Sequence, residues 1–128
     1  MERIKRGDTV EVIAGRDAAD ARREGNTVRG TVHRLVRGYR IDRYRRKVGR
    51  DYDKDRVVVQ GVNIIVKHQR RTGDVRTQFG RIEMEAPVHI SNVMLVCPTC
   101  KEATRVGFRA TGDGAKVRYC KRCDEAID

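Results

Sequence analysis

At 128 residues, 37% charged and 38% apolar, the chain has room for one compact domain, or a domain with a small appendage, and is too apolar for a disordered one. Its 29 lysines and arginines outnumber 18 aspartates and glutamates, and the net charge of +11 suits a polyanion. No apolar run reaches even half of the roughly 20 residues that cross a bilayer, and residues 1–7 are charged, so neither a membrane span nor a signal peptide is expected.

Residues 9–13 alternate apolar and polar side chains between two turn signals, Gly7-Asp8 and Gly15-Arg16-Asp17, and predict a first strand. A short helix is expected over 17–24, with Asp17 as N-cap and Gly25 as its stop. Residues 28–36 predict a second strand, in which Gly30 marks a bulge or a close backbone approach. Residues 38–55 are rich in arginine and poor in apolar side chains. Ordering such a segment costs roughly 1–2 kcal/mol per residue of backbone entropy, so it is expected to stay mobile until phosphates neutralise it. Tyr39, Tyr44 and Tyr52 would then stack on exposed bases or pack back on the body of the domain. Two β-branched runs, 56–60 and 63–67, follow across Gly61-Val62, and 81–96 read as extended with a break at Pro87. Short strands at near-regular spacing imply a mainly β fold, a small barrel or sandwich. Basic residues number 15 against 7 acidic in 1–50, 7 against 6 in 51–96, and 7 against 5 in 97–128, so the excess sits in the first half.

Cys97-Pro98-Thr99-Cys100 and Cys120-Lys121-Arg122-Cys123 are two Cys-x-x-Cys pairs 19 residues apart, the spacing of a four-thiolate zinc site. Residues 104–109 and 116–119 alternate around Gly112-Asp113-Gly114, a hairpin whose ends are the two cysteine pairs. With four protein sulfurs the site would be closed and structural. Lys101, Lys121 and Arg122 would offset its charge of −2. Four free thiols or two disulfides are the competing reading, and a reducing compartment favours Zn²⁺.

Gly7-Asp8-Thr9-Val10-Glu11-Val12-Ile13-Ala14-Gly15-Arg16-Asp17 followed by Gly30-Thr31-Val32 resembles a KOW motif. Residues 57–68, 85–95 and 104–109 complete four ordered blocks that resemble the family of bacterial large-subunit ribosomal protein number twenty-four. The strings Gly61-Val62-Asn63 and Ser91-Asn92-Val93-Met94 are the specific ones. The resemblance implies an SH3-like barrel, binding to large-subunit ribosomal RNA beside neighbouring ribosomal proteins, an early role in subunit assembly, and a place near the peptide exit tunnel. It implies a cytoplasmic ribosomal component, a monomer within the ribosome, without membrane association. Residues 18–24 and 38–55 look longer than the family's connections. The domains expected are a barrel with a basic inserted loop over 1–70, an extended segment over 71–96, and a zinc-ribbon-like hairpin over 97–128.

The residues expected to meet RNA are Lys5, Arg6, Arg16, Arg29, His33, Arg34, Arg37, Arg40, Arg43, Arg45, Arg46, Lys47, Arg50, Asn63, Lys67, His68, Arg70 and Arg71. Arginine grips phosphates and stacks on bases, which favours contact over a merely solvated face. Asn63 reads as a turn residue first and a contact second. No enzyme is expected: Ser91 lacks a Gly-x-Ser-x-Gly elbow, no P-loop occurs, and four cysteine ligands leave no open metal position. A KOW-containing transcription elongation or antitermination factor is the alternative reading.

Overall fold

The computed structural model describes residues 2–71, 73 and 79–128. Strand β1 (Thr9–Val12) leads through helix α1 (Arg16–Arg23) into β2 (Val28–Val36), and β3 (Tyr39–Ile41) and β4 (Lys47–Arg50) follow as a hairpin. A 3₁₀ turn at Tyr52–Lys54 precedes β5 (Arg56–Val59), then β6 (Ile64–Gln69) pairs with β7 (Gly80–Glu85). The chain closes with β8 (Val88–His89), a 3₁₀ turn at Ile90–Asn92, β9 (Val93–Val96), β10 (Ala103–Thr104), β11 (Val106–Ala110) and β12 (Lys116–Cys120).

Six strands form one sheet in the order β10-β9-β1-β2-β5-β8, with antiparallel neighbours throughout. The alternation of β1 sends Val10 and Val12 inward, where they meet Val32, Val57, Val59, Val62, Val93 and Leu95. Ile4 and Ala18 cover this β-branched core from the N-terminal segment and the helix. The architecture is the mainly β, SH3-like one that the sequence implies. Its boundaries differ from those expected, because β8, β9 and β10 belong to the barrel sheet and β9 lies beside β1. A division at residues 70 and 96 would cut that sheet. Among the described residues, three two-stranded ribbons stand apart from it: β3–β4, β6–β7 and β11–β12.

One local expectation is corrected and two hold. The helix begins at Arg16, with Gly15 as N-cap at φ 104, and no side chain among the described residues caps it. Asp17 lies inside the first turn and instead accepts the amide of Asn63 at 2.6 Å, tying the helix to the turn before β6. Gly25 does end the helix, at φ 72. Gly30 is a site of close approach, since a Cβ there would lie 2.6 Å from the Gln60 carbonyl oxygen. The register shift falls beside it, between Val32 and Arg34.

Residues 38–55 are a hairpin, not an arm without structure of its own. Asp42 organises its tip, accepting the amides of Tyr44 and Arg46, each at 2.8 Å, while Arg45 takes φ 59. At its base Arg50 donates twice to Asp55, at 2.6 and 2.8 Å, and once to the Gly38 carbonyl at 2.8 Å. The tyrosines carry their own cations: Lys47 lies 4.6 Å from the Tyr39 ring centre, Arg50 4.9 Å from that of Tyr52, and Arg46 5.3 Å from that of Tyr44. Polar turn chemistry and cation–π contact supply what apolar burial does not.

Candidate metal centre and nucleic-acid interface

The four cysteines converge. Cys97 follows β9 directly and Cys120 ends β12, so the barrel edge and the C-terminal ribbon each deliver one pair. Their sulfurs lie within 4.8 Å of one another, with Cys97 Sγ to Cys123 Sγ at 3.7 Å and Cys100 Sγ to Cys120 Sγ at 3.9 Å. Zn–S bonds of about 2.3 Å in a tetrahedron put the sulfurs about 3.8 Å apart, so the spacing fits that ion.

The two Cys-x-x-Cys turns share one backbone form. The amide of Lys101 donates to the Cys97 carbonyl at 2.9 Å, and that of Asp124 to the Cys120 carbonyl at 3.0 Å. Each of those residues stands one place after its second cysteine with positive φ, 58 and 62. The Cys97 amide reaches the Glu102 carbonyl at 3.0 Å, and the Cys120 amide that of Glu125 at 2.9 Å. These turns aim amides at sulfur, as Arg122 N does at Cys120 Sγ (3.4 Å). Burial opposes ionisation of Cys120, yet the amides of Cys123 and Arg122 bring its thiol down to about 6. Cys97 is lowered in the same way, its burial outweighed by the amides of Cys100 and Thr99. At Cys123 the Glu125 amide favours the thiolate, but burial and the neighbouring sulfurs push it up to about 12. Burial also raises Cys100, with Cys97 adding to the effect. Four sulfurs this close ionise together only around a cation, and a soft divalent ion matches the donor set.

A feature that the sequence reading missed joins this centre to the barrel. Arg118, two residues before Cys120, is 3% exposed and donates to Asp8 at 2.5 and 3.2 Å and to Asp128 at 2.9 and 2.7 Å. It also donates to the Arg3 carbonyl at 3.1 Å. Lys5 completes the network, its amide on Asp8 at 2.7 Å and its Nζ on Asp128 at 2.9 Å. Burial disfavours the charged guanidinium, but the two carboxylates outweigh it and hold Arg118 above its ordinary value. Arg118, in turn, holds Asp128 well below the usual carboxylate range. The only signal in the sequence was an arginine alternating in phase with Cys120 along β12.

The predicted RNA-facing residues separate into two groups. Some are committed within the chain: Lys5 to Asp128, Arg50 to Asp55, and Arg29 to Glu11 (2.8 Å) and the Lys101 carbonyl (3.0 Å). Asn63, at φ 53, spends its side-chain amide on the Ala86 carbonyl at 3.3 Å, the turn role expected of it. Arg16, Arg37 and Arg46 are exposed but paired with Asp17, Glu2 and Asp42. Among the described residues, Arg6, Arg34, Arg40, Arg43, Arg45 and Lys47 are exposed and in no ion pair, and four of these six stand on the β3–β4 hairpin. His33 is exposed at the bulge of β2. Lys67, His68, Arg70 and Arg71 are exposed towards the far end of the β6–β7 ribbon.

A family model described as large ribosomal subunit protein uL24, C-terminal domain, matches residues 62–127. Proteins named large ribosomal subunit protein uL24 are similar over nearly the whole chain. That of Fervidobacterium nodosum is 46% identical over 127 residues, covering 99% of this chain and 96% of its own. That of Halothermothrix orenii is 45% identical over 126 residues (98% of each). That of Thermomicrobium roseum is 48% identical over 127 residues, covering 99% of this chain and 90% of its own.

Proposed function

From the premise that the chain belongs to the uL24 family, and is therefore a structural constituent of the large ribosomal subunit rather than an enzyme, we propose that it binds large-subunit ribosomal RNA directly. The observation that carries this reading is the β3–β4 hairpin, where Arg40, Arg43, Arg45 and Lys47 project exposed and in no ion pair among the described residues. Uncompensated charge held together on a rigid ribbon repels itself and is relieved by phosphates. The exposed cations of β6–β7 add a second arm of contact. Binding to RNA beside neighbouring ribosomal proteins, early entry into subunit assembly and a position near the peptide exit tunnel are the roles that the family resemblance implies.

Zinc is part of the proposal. Cys97, Cys100, Cys120 and Cys123 would hold it, and it would supply structural cross-linking of β9 to β12, with no position left for a substrate. The chain's own amides orient those sulfurs, and Arg118 ties their strand to the start of the barrel.

The test is salt-dependent binding of the full chain to a large-subunit rRNA transcript. Arg43→Gln with Arg45→Asn, the latter chosen because asparagine tolerates φ 59, removes two phosphate ligands and spares the Asp42 turn. Each lost contact should lower the log–log salt slope by about 0.7 to 0.9. Unchanged affinity and slope would remove the hairpin from the interface.

A further inference from the structure

The tip of the β3–β4 hairpin offers charge; its base offers something different. A groove of about 600 Å³ runs between that base and the N-terminal segment, with Tyr52 in its wall and Ile4, Leu35 and Ile90 among its lining. Its ionic groups largely cancel: Arg37 meets Glu2 at 3.1 Å and Arg50 meets Asp55 at 2.6 Å. In a chain of net charge +11 this is a near-neutral hollow beside a strongly basic ribbon.

Tyr52 is 73% exposed, yet it is held in place. The Arg50 guanidinium backs its ring at 4.9 Å, and Arg50 is immobilised by Asp55 and the Gly38 carbonyl. Gly38 packs so tightly on Asp51 and Lys54 that a Cβ would not fit. The platform is also pinned to the barrel, since the Ile90 amide donates to the Asp55 carbonyl at 3.0 Å and His89 Nε2 donates to that of Asp53 at 2.5 Å. An aromatic ring kept open to water adds little to folding. A stiff ring backed by a guanidinium is, however, a ready stacking surface for another flat π system. Arg3, Arg56 and Asp53 also line the groove, which leaves its four arginines facing three carboxylates and a net charge of only +1.

We infer that this groove seats one unstacked base of single-stranded large-subunit ribosomal RNA against Tyr52. The inference rests on the RNA-binding reading above and adds a site that takes the base rather than the backbone. Stacking on an aromatic side chain releases no counterion, so it separates from phosphate contact by its salt dependence.

The experiment titrates the full-length chain and its variants with a large-subunit rRNA transcript across a series of KCl concentrations, and maps base reactivity by chemical probing. Tyr52→Ala should weaken binding about 5- to 150-fold with the salt slope unchanged. Tyr52→Leu, which keeps apolar bulk without a π face, should behave alike, and Tyr52→Phe should stay within about twofold of the parent. One nucleotide should lose its protection in the alanine and leucine variants and keep it in the phenylalanine variant. Parental binding by Tyr52→Ala would overturn the inference and leave the groove to a neighbouring protein. A loss accompanied by a shallower slope would also overturn it, because Tyr52 would then only be placing arginines. If the Arg43→Gln, Arg45→Asn variant lowers the slope while Tyr52→Ala is silent, the base site fails and RNA binding stands. If both are silent, both fail.

Discussion

Replacing Arg118 by methionine keeps an unbranched apolar stem and removes the guanidinium that joins the C-terminal ribbon to the start of the barrel. Removing one partner of a buried ion pair costs about 3–5 kcal/mol, because the other charge stays behind without compensation. Here two carboxylates are left, Asp8 at 14% and Asp128 at 22% side-chain exposure. Both retain Lys5, through its amide and its Nζ respectively, so the lower end, about 3 kcal/mol, is expected. For a domain of this size that corresponds to a melting temperature lower by roughly 10 °C. Thermal unfolding of the zinc-loaded chain followed by circular dichroism measures it. Hydrogen exchange should place the loss at the Arg118 and Ile127 amides and around Lys5 and Asp8. Adding Asp8→Leu to Arg118→Met should recover part of the stability by removing one stranded charge. A loss below about 1 kcal/mol, or a double variant weaker than the sum of the two single changes, would refute the reasoning.

Chelation of zinc should release β11 and β12 and the residues after Cys120, since structural zinc binding is worth about 10–16 kcal/mol. Exchange protection should fall at β10 as well, because it lies between the two cysteine pairs, while β1, β2 and β5 stay protected; full protection of β12 after chelation would contradict the site. Asp128 titrates below its ordinary value, so its contribution is fully present above the unfolded value near 3.8 and is lost as pH falls through the folded one. Urea midpoints should therefore drop less steeply in acid for Arg118→Met than for the parent, and parallel curves would argue against the pairing. Gly107→Val would drive a side chain into the cross-strand Tyr119 ring, on which Arg109 lies at 4.7 Å, and should cost roughly 1–3 kcal/mol in thermal unfolding. Asp42→Ala removes the acceptor for two tip amides and should speed exchange at Tyr44 and Arg46 without changing β5.

What the sequence determined by itself was local. The two Cys-x-x-Cys turns, the hairpin between them, the extents of β1, β2 and β5 and the stop at Gly25 depend on spacing and on residues adjacent in the chain. Those signals survive in a linear reading. The tertiary structure decided which charges are free. Arg118 was indistinguishable from its exposed neighbours until folding brought Asp8, 110 residues earlier, within reach. Asp17 read as a helix cap until Asn63, 46 residues later, offered its amide. The basic hairpin read as unstructured because apolar content was the only measure of its ordering, whereas Asp42 and Asp55 satisfy its backbone and Arg50 through polar contacts. Strand order was equally out of reach, for β9 pairs with β1 across more than 80 residues. An arginine is a phosphate ligand or a structural strut according to which carboxylate lies within about 3 Å of it, and that distance is set by the packed core of the barrel.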